Sequence, residues 1–162
     1  MSHSPAPRRS AAEQQRVDAA LVDIFEHRIR FNETLGLKVV SVAAARPTLR
    51  FEMREALIGH YASGRLHGGV ISATLDAMGG LACMVGIGER HPAENTLQVM
   101  HRFAKMGTID LRVDYLRQGL GTHFTATAEV TRLGGRIGST QMRLVNQDGT
   151  LIATAAAAYV IS

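Results

Sequence analysis

One cysteine, four prolines and no tryptophan in 162 residues leave several kinds of protein without their usual materials. Cys83 alone cannot close an internal disulfide, so a disulfide-built secreted scaffold is excluded; set in an apolar run, it reads as a buried, reduced thiol, which points to the cytoplasm. Aromatic residues are only 5% of the chain, too few for a nucleic-acid stacking platform, and the 18 Lys and Arg are scattered rather than massed. No nucleic-acid partner is therefore expected, although the net charge of +4 and pI near 9.8 favour an anionic ligand by long-range attraction. No apolar stretch follows Arg8 and Arg9, so a signal peptide is not expected. GxSxG, P-loop and GxGxxG motifs are all missing, which removes the serine-hydrolase, NTPase and Rossmann readings. His60, His67, His91 and His101 lack paired metal-ligand spacing, so no metal is expected.

The length suits one domain, with near-average hydrophobic and charged fractions of 46% and 20%. Residues 1–10 read as a disordered tail. Over residues 11–32, Val17, Leu21, Ile24, Phe25 and Ile29 recur at helical spacing, giving an amphipathic helix ended by Asn32, Thr34 and Gly36. Two strands follow within 37–55, then a loop over 56–65. From Leu66 to Gly88 Asp76 is the only Asp, Glu, Lys or Arg, as in a helix enclosed on nearly every side. Its length also fits a bilayer, but a mid-segment Asp and six glycines speak against a membrane span. Residues 89–106 read as irregular. Beyond them come four strands, with hairpin turns at Gly134-Gly135 and Asn146–Gly149. In IDLRVDYLR Ile109, Leu111, Val113 and Tyr115 alternate with Asp110, Arg112, Asp114 and Leu116, and Thr108 falls on the side of Asp110 and Arg112. The sum is an α+β domain whose antiparallel sheet wraps a buried helix.

Chemistry concentrates on that helix. A buried lone carboxylate is expected to have a raised pKa, which suits Asp76 to general acid–base work; the alternative is an Asp facing a solvent channel or a strand Arg. His67-Gly68-Gly69 opens the helix, where amides without acceptors and the helix dipole would stabilise an oxyanion, or where two glycines merely allow a tight turn. His67 and Asp76 are nine positions apart, about 900° of rotation, so they lie on opposite sides of the helix and His67 reads as a loop anchor. Gly68 and Asp76 are separated by about 12 Å along the axis, so both can serve one reacting carbon only if they come from different chains. A two-fold dimer with two shared sites follows from that geometry.

GRLHGGVISATLDAMGGLA (Gly64 to Ala82) and GTIDLRVDYLRQG (Gly107 to Gly119) resemble the hotdog-fold acyl-CoA thioesterases, in particular the phenylacetyl-CoA thioesterase-like group of the 4-hydroxybenzoyl-CoA thioesterase superfamily. The resemblance covers about residues 33–161 and makes residues 33–162 a hotdog thioesterase domain. It implies an acyl-CoA substrate, of medium to long chain and in fatty acid metabolism, hydrolysed without metal or organic cofactor by a cytoplasmic homodimer or dimer of dimers (homotetramer). Asp76 would be general base or nucleophile, the Gly68 amide would polarise the thioester carbonyl, and Thr108 would add a hydroxyl. His67 and Gly69 would help bind substrate. Many relatives carry an Asn six or seven residues before the HGG histidine; here Tyr61 and His60 stand there, and either can donate a hydrogen bond. Arg132 and Arg136 flank a hairpin turn and are candidates for CoA phosphates, or a solvated tip. Met78, Met84, Met100 and Met106, with Leu97, are candidates for an adaptable acyl pocket, or core filling. A non-catalytic acyl-CoA-binding module and an acyl-thioester hydratase or dehydratase are the alternative functions.

Overall fold

A computed structural model describes residues 7–162 of the chain. The expected tail therefore lies largely outside the described residues; at its end, Arg8 pairs with Glu89, and Arg9 donates to the carbonyls of Gly88, His91 and Glu94.

The N-terminal helical region is broken where a single helix was expected. Ser10 caps α1 (Ala11–Asp23), a π-helical turn occupies Ile24–Arg28, Ile29 is extended, and α2 (Arg30–Leu35) ends at Gly36 with φ +73°. Gly36 supplies the left-handed conformation that a helix C-terminus requires, and its N–H donates to the Asn32 and Glu33 carbonyls. Val17, Leu21 and Phe25 are buried on the inner side.

Strands β1 (Lys38–Ser41) and β2 (Thr48–Glu52) follow, and then a 3₁₀ turn (Glu55–Leu57) and a small hairpin of β3 (Ile58–His60) and β4 (Arg65–Leu66), in place of a plain loop. The apolar segment is α3 (Gly68–Arg90). It is long and apolar enough to cross a bilayer, yet it lies in the core, with Leu75, Met78, Leu81 and Cys83 fully enclosed. Burial pushes the Cys83 thiol up to about 12, so it is not a nucleophile at neutral pH.

Residues 89–106 contain α4 (Thr96–Phe103), which corrects the irregular reading. Its cues are short-range. Asn95 and Gln98 form a reciprocal capping box, and Val99 and Phe103 bury one face. The Glu13 carboxylate reinforces that terminus by accepting from the Thr96 N–H and hydroxyl, both at 2.7 Å; with Arg16 alongside, its pKa falls to about 2.

Four long strands complete the chain: β5 (Gly107–Tyr115), β6 (His123–Leu133), β7 (Ile137–Asn146) and β8 (Leu151–Val160). The large sheet is antiparallel, in the order β1-β2-β6-β7-β8-β5. Phe51, Phe124, Ala126, Met142 and Leu144 face α3 from its inner side, with Phe51 and Phe124 stacked 5.3 Å apart. Small β8 side chains, Ala153, Ala155 and Ala157, let the helix settle onto the sheet. Gly79 serves the same close approach, since a Cβ there would overlap the Tyr159 hydroxyl. The observed α+β architecture is the predicted one, a sheet around a buried helix.

Candidate active site

Asp76 is half-buried on α3, between the wholly enclosed Leu75, next to it in the chain, and Met78, two residues on. Its Oδ1 accepts a 2.8 Å hydrogen bond from Thr108 Oγ1 at the start of β5. Simple alternation puts Thr108 on the outer, polar side of that strand. Instead a bulge intervenes: Thr108 pairs with Tyr159 and Asp110 with Ala158, so two steps on β5 match one on β8. Ile109 is the extra residue and is exposed, and Thr108 is turned to the helix side. The bulge thus corrects the face assignment and brings the hydroxyl to the carboxylate.

A cavity of about 260 Å³ opens beside this pair. Phe25, Ile29, Phe31 and Asn32 wall it from the N-terminal helices, Ala77, Gly80 and Met84 from α3, and Met106 and Tyr159 from the sheet side. At roughly 30 Å³ per water-sized group, that is room for about nine such groups. Of the candidate methionines, Met84 and Met106 line the cavity; Met78 is core, and Met100 packs against the core. Leu97 is 80% exposed, on a separate groove with His101 and Lys105. Larger concavities there and on the outer sheet face do not include Asp76.

At the start of α3, His67 is the N-cap: its Nδ1 accepts from the Gly69 N–H at 2.8 Å. The Gly69 amide is thereby occupied, whereas the Gly68 N–H has no acceptor among the described residues. Tyr115, at the far end of β5, donates its hydroxyl to the Gly68 carbonyl at 3.1 Å, and its ring lies within van der Waals reach of a Cβ at Gly68, at 3.4 Å. His67, Gly68 and Gly69 do not line the Asp76 cavity, in keeping with the helix geometry.

His60 and Tyr61 stack at the tip of the β3–β4 hairpin, ring centroids 5.8 Å apart, with Tyr61 96% exposed. Arg132 and Arg136 line a shallow hollow at the β6–β7 turn, which Arg90 secures by donating to the Leu133 and Gly134 carbonyls. Neither pair lines the cavity in the single chain.

Three residues near the site escaped sequence reading. Tyr115 read only as an apolar strand position. Tyr159 donates from its hydroxyl to the Asp76 main-chain carbonyl at 2.9 Å; burial first, then the Asp76 charge, pushes its phenol far above the ordinary range. Asn32, which read as a helix stop, lines the cavity and is 4% exposed.

A family model described as the thioesterase superfamily matches residues 63–153. The medium/long-chain acyl-CoA thioesterase YigI of Salmonella typhimurium is 38% identical over 139 residues, which are 86% of this chain and 90% of that protein. Its Escherichia coli namesake is 36% identical with the same coverage. Among solved structures, a Shewanella oneidensis protein related to the thioesterase superfamily superposes with a TM-score of 0.88 at 31% identity, covering 95% of this chain and all of the other.

Proposed function

Because the chain belongs to the thioesterase superfamily, we propose that it hydrolyses medium- to long-chain acyl-CoA to the free acid and CoA, without metal or organic cofactor, in the cytoplasm. The observation that carries the reading is the Asp76–Thr108 pair at the wall of an apolar cavity. Asp76 takes a proton from water as the water oxygen attacks the thioester carbon. The resulting oxyanion faces a Gly68 N–H that no acceptor among the described residues occupies. Collapse breaks the C–S bond, and the proton held by Asp76 passes to the departing thiolate. If Asp76 were instead the nucleophile, its carboxylate would displace the CoA thiolate to form a mixed anhydride, and a single turnover in heavy-oxygen water in which water opens that anhydride at the Asp76 carbon would leave the label in the Asp76 carboxyl group.

The Gly68 amide and Asp76 serving one carbon come from two chains. β5 ends the sheet, so one of its edges has no strand partner among the described residues, and such an edge is a template for pairing. Antiparallel pairing of β5 with its copy, centred on Arg112 and with Ile109 as the bulged extra residue, sets Thr108 opposite the partner's Tyr115. Thr108 holds Asp76 and Tyr115 holds Gly68, so the same pairing sets each Asp76 toward the partner's Gly68. His60 and Tyr61, exposed beside the glycine end, and Arg132 or Arg136 are candidate contacts for the thioester and the CoA phosphates, respectively.

A thiol-trapping assay over an acyl-CoA series, on wild type and Asp76→Asn, tests the function. Hydrolysis that the substitution reduces at least a hundredfold supports it. No turnover on any acyl-CoA, or an equally fast variant, overturns it.

A further inference from the structure

The cavity beside Asp76 contains one polar side chain whose purpose the hydrolytic chemistry leaves open. Asp76 and Thr108 hydrogen-bond each other, and Tyr159 donates to the Asp76 carbonyl. Asn32 lines the same cavity at 4% exposure, and its Nδ2 has no acceptor among the described residues. An amide so deeply enclosed is costly to leave without a hydrogen-bond partner, and none of the described residues supplies one.

Its placement is specific. A regular continuation of α1 would extend the Val17–Leu21–Phe25 stripe along one face. The π turn at Ile24–Arg28 and the extended Ile29 interrupt that helix, and each added residue rotates the succeeding turn by about 100°. Ile29, Phe31 and Asn32 all end up on the cavity wall. Leu or Val at position 32 would complete an apolar lining with no loss of helix formation. The main-chain role of this residue, accepting from the Gly36 and Leu37 N–H groups, needs no amide side chain.

On the premise of the thioesterase reading, we propose that Asn32 is a specificity-determining residue that donates a hydrogen bond to an oxygen on the acyl chain, so that the favoured substrates are hydroxy- or oxoacyl-CoA thioesters. A saturated chain fills the apolar wall and leaves the amide unpaired; a hydroxyl or keto oxygen within a few carbons of the thioester satisfies it. Sites built to pair with a substrate oxygen reject the analogue lacking it, because the protein group is left bare. One such bond amounts to about tenfold in kcat/KM.

The test compares decanoyl-CoA with its 2-hydroxy, 3-hydroxy and 3-oxo forms, on wild type, Asn32→Leu and Asn32→Ala. The expected result is a preference of about tenfold for at least one oxygenated chain in wild type, falling to near one in both variants. Thermal melting accompanies it. An unpaired amide predicts that Asn32→Leu melts no lower than wild type, whereas a lower melting temperature would show that the amide has a structural partner and would overturn the proposal. Equal rates on all four substrates would also overturn it, leaving the thioesterase reading intact and the amide satisfied by water alone. Should no thioester be turned over, the hydrolytic reading fails by itself. Binding of decyl and 3-hydroxydecyl thioethers of CoA then decides the selector: tighter binding of the hydroxylated probe, abolished in Asn32→Leu, supports it, and equal binding overturns it.

Discussion

Replacing Thr108 with Val removes one hydroxyl and almost no volume, so it isolates the hydrogen bond that reaches Asp76 Oδ1 at 2.8 Å. A hydrogen bond to a charged group is worth about 1.5–3 kcal/mol. Thr108 is exposed, so in the free enzyme water can replace the lost donor, and the lower end applies. About 1.5 kcal/mol corresponds to a rate loss of roughly tenfold. On the proposed mechanism the loss belongs in kcat rather than KM, because Thr108 touches the carboxylate assigned to the attacking water. Steady-state CoA release, followed by a thiol reagent, reads both constants. Thr108→Ser, which restores the hydroxyl, is expected to recover most of the rate. In the Asp76→Asn background, Thr108→Val should cost much less than in wild type, because residues acting through one contact are not additive. A Thr108→Val enzyme within twofold of wild type, or one that Ser does not rescue, would refute the role assigned to this contact.

Tyr115→Phe removes the hydroxyl that fixes the Gly68 carbonyl and is expected to lower kcat/KM by about fivefold, with an unchanged melting temperature, in the same assay. Gly79→Ala places a Cβ against the Tyr159 hydroxyl and 2.8 Å from Thr140 Oγ1, so denaturant unfolding should show a loss of about 1–3 kcal/mol. Glu13, with a pKa lowered from 4.5 to about 2 by the Thr96 N–H and hydroxyl and by Arg16, stabilises the fold above pH 4.5 and loses that contribution as pH falls toward 2. Glu13→Gln should therefore flatten the acid limb of a stability–pH curve in that window, and an unchanged limb would show that the α1–α4 tie contributes nothing.

Long patterns were legible in the sequence and local irregularities were not. The apolar run around Asp76 and the alternation of the last four strands state their burial over many residues, and helix and sheet follow. The π turn at Ile24–Arg28 keeps the composition of a helix, so nothing in the spacing of Val17, Leu21 and Phe25 reveals the rotation imposed on Asn32. Helix α4 was hidden by its eight-residue length, although Asn95 and Gln98 were a readable capping pair. The bulge at Ile109 reverses a face assignment based on alternation, and with it the meaning of Thr108. The separation of Gly68 and Asp76 was legible because helix rise converts their spacing directly into a distance. Tyr115 and Tyr159 act through contacts 47 and 83 residues away in sequence, which no local pattern encodes.

Whether two chains share each site is tested most directly by mixing two inactive variants. Gly68→Pro deletes the N–H at the first helical position, where Pro is tolerated and the preceding His67 is already extended, at φ −65° and ψ 137°; Asp76→Asn deletes the proposed base. Unfolded and refolded together in equal amounts, half the dimers are mixed, and each mixed dimer has one intact site, so about a quarter of wild-type activity should return. Mixed dimers that form, by mass or by affinity tags, yet regain no activity would contradict a site built from one chain's Asp76 and its partner's Gly68.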